Sequence, residues 1–241
     1  MKLQRLLNRL DKMGQVIKSA RLAYGLIRHH VLVGAEHRHM LSRQLATVID
    51  IGANRGQFAL AVREWVPKAR VISFEPLGGP AKTFRAVFMG DDRVTLHQIA
   101  IGPEPGEFVI HVARRDDSSS LLPITELQDK LFAGTAEKTR EFVRVEPLHV
   151  LVRPEDIVAP ALLKLDVQGF ELAALQGCER LLNYFDHVYA ECSFLELYSG
   201  QALAHEVVAY LSHRGFRLKG IYNMAYSGTG VPVQGDFLFA K

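Results

Sequence analysis

Residues Val48-Ile-Asp-Ile-Gly-Ala-Asn-Arg-Gly-Gln-Phe58 restrict the fold more than any other part of the chain. An apolar run reaches an acid, Asp50, passes two glycines, Gly52 and Gly56, and enters an apolar pattern with helical spacing. A second buried-type run follows, Arg70-Val-Ile-Ser-Phe-Glu75-Pro76, and it also ends in an acid. A strand, a glycine turn, a helix and a parallel strand make the first half of an open α/β sheet. Ligands of such sheets sit beyond the carboxyl ends of the strands, where both acids fall.

The chemistry of the turn narrows the ligand. A dinucleotide loop needs Gly-x-Gly-x-x-Gly so that a pyrophosphate can reach the helix N-terminus. Here the run is Asp50-x-Gly52-x-x-x-Gly56, with Ala53 and Asn54 between the glycines. Asp50 would repel a pyrophosphate but suits a sulfonium that also carries an ammonium group. Gly52 and Gly56 let backbone approach the ligand. Glu75 falls where a carboxylate accepts both ribose hydroxyls. S-adenosylmethionine has these features. The candidate site for it is Asp50, Gly52, Ala53, Asn54, Gly56, Phe58, Glu75 and Pro76, with Ala100 and Ile101 as an adenine-side wall.

At 241 residues the chain fits one decorated α/β domain. The formal charge of +3 is too small to imply nucleic-acid binding. Cys178 and Cys192 share no metal or redox spacing and read as buried thiols of a reducing, cytoplasmic compartment. The N-terminus lacks the pattern of a secretory signal, and no stretch is long and apolar enough to span a bilayer.

Met1 to about Leu45 reads as an N-terminal helical extension, with residues 46–241 as the main domain. Leu3, Leu6, Leu7, Leu10, Ile17, Ala20, Tyr24 and Ile27 recur at helical spacing opposite Lys2, Arg5, Arg9, Lys12, Lys18, Arg21 and Arg28. The pattern fits a cap on the domain, with a homodimer seam or membrane-surface contact as alternatives. The histidines of 29–39 have no partners at metal spacing. Strands are expected at Val48–Ile51, Val71–Glu75, Val94–Ile99, Ala161–Leu165, His187–Cys192, Phe216–Ile221 and Asp236–Ala240, the last two antiparallel. Helices are expected at Gly56–Trp65, Pro80–Phe88, Phe170–Leu182 and Ala202–Arg214. Gly106–Ala113 and Phe142–Leu151 alternate and read as an inserted hairpin around a serine-rich loop.

Two further strand ends carry acids, Asp166 in Leu163-Lys-Leu-Asp-Val-Gln168-Gly169-Phe-Glu171 and Glu191 in Ala190-Glu-Cys-Ser-Phe194. Asp50, Glu75, Asp166 and Glu191 thus fall on one rim, and Asp166 could hold the ligand's ammonium or the incoming substrate. The runs Asp50-x-Gly-Ala-Asn-x-Gly56, Lys164-x-Asp-Val-Gln-Gly-x-Glu171 and Glu191-x-Ser-Phe-x-x-Leu-Tyr198-x-Gly-Gln201 resemble the FkbM family of S-adenosylmethionine-dependent methyltransferases. The resemblance covers about residues 47 to 220. It implies a class I methyltransferase (Rossmann-like) α/β fold: a seven-stranded, mostly parallel sheet with the last strand antiparallel. It also implies O-methylation of a hydroxyl on a sugar, glycan or natural product. Many members carry Glu where this chain has Gln168, and the N-terminal extension lies outside the match.

Transfer to an alcohol needs alignment and a proton acceptor. Asp166, Glu191 and His205 are the candidate bases. A divalent cation is the weaker alternative, because the chain offers no compact carboxylate cluster. Ser118, Ser119 and Ser120 are expected to cover the acceptor, Gln168 to face it, and Phe194 and Tyr198 either to wall it or to belong to the core. Competing readings are a dehydrogenase, a non-catalytic scaffold of the same fold, and a nucleic-acid methyltransferase. The first lacks its glycine loop. The last lacks an Asn/Asp-Pro-Pro-Tyr/Phe motif for a flipped base.

Overall fold

The computed structural model describes residues 19–41 and 44–241. The expected apolar and basic positions before residue 19 therefore lie outside the described residues. Helix α1 (Ala20–His29) opens on Ser19, whose side chain accepts from the Leu22 N–H and donates to Glu64. A 3₁₀ turn (Ala35–His37) and extended chain lead into the main sheet.

The elements then run β1 (Thr47–Ile51), α2 (Gln57–Trp65), β2 (Arg70–Phe74), α3 (Gly78–Val87) and β3 (Val94–His97). An insertion follows: β4 (Ala100–Ile101), β5 (Gly106–Ala113), α4 (Glu126–Leu131), β6 (Glu137–Glu146) and α5 (Leu148–Leu151). The chain resumes with β7 (Ala161–Leu165), α6 (Glu171–Gly177), β8 (His187–Ser193), α7 (Ala204–Ser212), β9 (Arg217–Tyr226) and β10 (Pro232–Ala240).

The main sheet has the order β3-β2-β1-β7-β8-β10-β9. β10 runs antiparallel to both β8 and β9, while the pairs from β3 to β8 are parallel. This is the class I methyltransferase arrangement. Its central strands β1 and β7 are buried at every position, as expected where helices cover both faces. The insertion forms a second sheet, β4-β6-β5, over the carboxyl ends of the parallel strands.

Several boundaries differ from the sequence expectations. The third strand stops at His97, and Ala100–Ile101 pairs with β6 instead. The second hairpin strand begins at Glu137, before its alternation becomes apolar, and Leu148–Leu151 is helical. Helix α6 gives way after Gly177 to a 3₁₀ turn at Glu179–Tyr184. Helix α4 was not expected; Thr125 caps it by accepting from the Gln128 N–H.

The described part of the N-terminal extension is α-helical only at Ala20–His29. Tyr24 and Ile27, expected on its buried seam, are 48% and 77% exposed, because Leu22 and Gly25 face α2 instead. Leu22, Val31, Val33, Leu41 and Leu45 share one core with Val48, Phe58 and Leu60. The extension thereby closes one face of the sheet.

Candidate active site

The first turn is shaped by backbone crowding. The N–H groups of Gly52 and Ala53 both donate to the Phe74 carbonyl at 3.0 Å. Gly52 has φ +78°, and a Cβ there would lie 1.8 Å from the Asp166 carbonyl oxygen. No other residue fits while the chain leaving β1 lies this close to the chain leaving β7. Gly56 caps α2 at φ +96° against the Phe88 ring.

Glu75, just past β2, is buried and ties this turn to the next. Its Oε2 accepts the Asn54 N–H at 2.9 Å, and its Oε1 accepts the Leu77 N–H at 2.8 Å. Burial pushes its carboxyl up to about 7, although the two N–H donors and Lys164 pull the other way.

These residues border a cleft of about 580 Å³ of empty volume, counted with its open mouth. One side is apolar, with Pro76, Leu77, Ile99, Ala100, Ile101, Leu121 and Phe170. The charged side chains lining it are all acidic: Glu75, Asp116, Asp117 and Asp166. An acidic wall beside an apolar slot fits a cationic sulfonium nucleoside and disfavours a pyrophosphate. Gly52 and Asn54 complete the floor. Arg55 crosses to Asp116 and fastens the insertion over the turn.

A second, polar cavity adjoins the first and shares Asp117 and Gln168 with it. Its other lining residues are Arg115, Ser118, Gln128, Phe132, Glu191 and Gln234. Burial pushes the Glu191 carboxyl well above the usual carboxylate range, and Asp166, Asp236 and Glu171 add to the effect. Glu171 is likewise raised to about 7 by burial, although the Val167 and Gly169 N–H groups donate to its Oε1. It shapes the turn at 167–169 from beneath.

Of the sequence candidates for the nucleoside site, Gly52, Asn54, Glu75, Pro76, Ala100, Ile101 and Asp166 line the cleft. Asp50, Ala53, Gly56 and Phe58 are buried behind its wall. Asp50 is fully buried, and its Oδ1 lies 3.0 Å from Lys164 Nζ; apart from this ion pair, neither oxygen has a hydrogen-bond donor among the described residues. Its charge is met from within the protein, so it is not the direct ligand contact expected.

Lys164 also donates to the Gly52 carbonyl at 3.0 Å and sits 3.9 Å from Asp166. Burial pulls its ammonium down, but Asp50 and Asp166 outweigh this and hold it above its ordinary value. Sequence reasoning passed over Lys164. The available signal was a lone charge within the apolar run Ala161–Leu165, in register with Asp50 on the neighbouring strand.

The acceptor-side candidates separate in the same way. Ser119 and Ser120 line the cleft and Ser118 the second cavity. The hydroxyls of Ser119 and Ser120 accept from the Ala113 and Leu122 N–H groups, so both also hold the loop together. Gln168 lines both spaces.

Three expectations are corrected. His205 is exposed on α7 and lines neither cavity, because it occupies the solvent face of that helix. Phe194 packs on Phe237, with ring centroids 5.8 Å apart, instead of facing an acceptor. Tyr198 is buried behind the second cavity, its ring against Gly169. Gln128, Gln234 and Asp117 were missed, since a polar residue in an insertion or a late strand carries no motif. Among the described residues no group of three or more His, Cys, Asp or Glu is placed to hold a metal ion.

Residues 50–218 match the methyltransferase FkbM domain. The chain belongs to the FkbM methyltransferase family. As a family member it is a methyltransferase, with S-adenosylmethionine as donor, and the acidic, half-apolar cleft fits that group. The chain is 27% identical to the 2-O-methyltransferase NoeI of Sinorhizobium fredii over 170 residues, covering 67% of this chain and 69% of that protein. Aeropyrum pernix fibrillarin, solved with S-adenosyl-L-methionine, aligns at 12% identity and a TM-score of 0.47, covering 83% of this chain and 69% of that one. The precorrin-6y C5,15-methyltransferase of Geobacter metallireducens aligns at 12% identity and a TM-score of 0.45, covering 85% and 84%. The fold assignment rests on the strand order itself. Among the described residues no helix is long and apolar enough to cross a membrane.

Proposed function

We propose that this FkbM methyltransferase transfers a methyl group to a hydroxyl oxygen of a polyhydroxylated acceptor, a sugar or glycan. The observation that carries this reading is the pair of joined cavities, one acidic and apolar, the other lined almost wholly by polar side chains. Amide, hydroxyl and carboxylate groups in a confined space suit an acceptor rich in hydroxyls. The likeness to a 2-O-methyltransferase supports oxygen as the accepting atom.

Bound in the first cleft, S-adenosylmethionine supplies a methyl group on a sulfonium leaving group. Glu75 would receive the ribose hydroxyls, while Leu77, Ala100, Ile101 and Phe170 would take the adenine. Asp166 would hold the ammonium, and Lys164 fixes the Gly52 carbonyl and so the shape of the turn. An acceptor in the polar cavity would present its hydroxyl near Gln168 and Asp117, which border both spaces. Alignment of this kind supplies much of the rate, on the order of 7–11 kcal/mol in favourable cases. The buried free thiols Cys178 and Cys192 are in keeping with the cytoplasm.

The test is incubation with methyl-tritiated S-adenosylmethionine and a panel of methyl pyranosides and oligosaccharides, with products read by mass spectrometry. Acid-stable methyl ethers are expected. Label entering RNA, or no hydroxylated acceptor labelled while S-adenosylhomocysteine still binds, would sink the reading.

A further inference from the structure

Among the described residues, no Lys, Arg or His forms an ion pair with the carboxylate of Glu191 on β8. Its Oε1 accepts from Gln234 Nε2 at 2.6 Å, and its Oε2 accepts from Gln168 Nε2 at 2.9 Å. The same Gln168 nitrogen donates to Asp166 Oδ1 at 2.7 Å, so its two protons are shared between two carboxylates. An amide can do this in only one of its two orientations.

The other end of the amide fixes that orientation. The Tyr198 hydroxyl lies 2.8 Å from Gln168 Oε1, accepts from Gln128 Nε2 at 3.1 Å, and is 3.1 Å from the Ser118 carbonyl. Burial and the neighbouring carboxylates push the Tyr198 phenol up, so it remains a donor. A flipped Gln168 would turn its oxygen toward two carboxylates. The chain Gln128–Tyr198–Gln168 joins the insertion, the segment after β8 and the turn after β7 to one carboxylate at the edge of the acceptor cavity.

We propose that Glu191 takes the proton of the acceptor hydroxyl, and that Gln168, locked by Tyr198 and assisted by Gln234, is the positioning residue that keeps it ready. This rests on the hydroxyl-acceptor reading above. In the step, the acceptor oxygen gains the methyl group as the carbon–sulfur bond breaks. The hydroxyl proton passes to Glu191, and the sulfur keeps the bonding pair as a neutral thioether.

Glu191 faces Asp166 and Lys164 from β7 and its flanking turn, Glu171 from α6 and Asp236 from β10; Arg115 and Asp117 of the insertion share its cavity. Three of the groups bearing directly on it are acids, so its proton is held more tightly than usual, and the two amides oppose this by donating to the ionised form. Turnover therefore rises with pH through an acid limb above the ordinary carboxylate range. Removing the Gln168 donor moves that limb higher still.

The test compares the wild type with Glu191→Gln, Gln168→Met and Tyr198→Phe, with calorimetry showing that each still binds S-adenosylhomocysteine and turnover read at saturating donor. Glu-carboxyl ¹³C NMR titration gives the ionisation of Glu191 without any acceptor, its signal being identified by its loss in Glu191→Gln. Turnover is read with the fastest methyl pyranoside of the panel. The expected result for Glu191→Gln is a fall in kcat of about 100-fold or more with KM little changed. Gln168→Met should lower kcat by about tenfold and move both the acid limb and the NMR titration to higher pH, with Tyr198→Phe smaller in the same direction. An unchanged Glu191 titration in Gln168→Met, or an undiminished kcat in Glu191→Gln, would overturn the proposal. A panel with no turnover at all counts instead against the hydroxyl acceptor, since the titration still reads the relay.

Discussion

Asp50 and Glu191 are both acids on strands of one sheet, yet they are treated in opposite ways. Asp50 is fully buried and its charge is met by Lys164 at 3.0 Å. Glu191 borders a cavity, and among the described residues its hydrogen-bond donors are two amides, at 2.6 and 2.9 Å. A buried ion pair fixes charge and geometry together, whereas an amide clamp fixes geometry and leaves the proton free to move. Alignment along a strand rim therefore says little about an acid's task; the partner opposite it says far more.

The sharpest way to break this contrast is Lys164→Met. It leaves Asp50 buried without a counter-charge and is expected to cost about 3–5 kcal/mol of stability in urea unfolding. A loss under about 1 kcal/mol would put the pair on a surface footing and erase the difference. Next comes Gly52→Ala, whose methyl would overlap the Asp166 carbonyl. About 2–3 kcal/mol of destabilisation and loss of S-adenosylhomocysteine binding are expected. Ordinary binding by this variant would mean the turn can open, and that Lys164 does not hold it.

Glu75→Gln is expected to weaken S-adenosylhomocysteine binding by about 1.5–3 kcal/mol in calorimetry. Its pH dependence sharpens the comparison further. Glu75 is raised from 4.5 to about 7, so between those values the native state holds a proton that the unfolded chain releases. Its contribution to stability therefore falls as pH rises through that window. Ligand binding to the ionised carboxylate should strengthen from pH 6 to pH 8 with proton release, a slope that Glu75→Gln flattens. Glu171, raised to about 7 by burial, carries the same stability slope. It lies beneath the turn, so Glu171→Gln should flatten the stability slope and leave the binding slope in place. The smallest effect is expected for Arg55→Ala, which unfastens Asp116 at a cost of about 0.2–1 kcal/mol. Its signature is a raised KM for the donor.

The sheet and its first turn were legible because backbone constraints write themselves into local sequence. Gly52 and Gly56 mark places where a Cβ meets other atoms, and Glu75 closes a buried run. Family motifs then supplied the strand order. The acceptor side was less legible because it is assembled from distant pieces. Gln128, Gln168, Tyr198 and Gln234 meet through hydrogen bonds that no spacing announces. Tyr198 and Phe194 were read as a possible wall from their chemistry, but Tyr198 is buried and Phe194 lies half-exposed against Phe237. Lys164 could have been suspected as a charge that an apolar strand tolerates only with a partner. The seam of α1 was misplaced by one face, because Gly25 has no side chain to mark the Leu22–Gly25 stripe that meets α2.

The strip from Val31 to Leu45 lies outside the family match, yet Val31, Val33, Leu41 and Leu45 are buried against Val48, Val62 and Tyr189. His37 of the same strip reaches the Tyr189 hydroxyl at 3.1 Å. A shortened gene beginning at the family boundary would strip an oily flank of the sheet of its cover, and its product should clump during expression whatever the state of its catalytic rim.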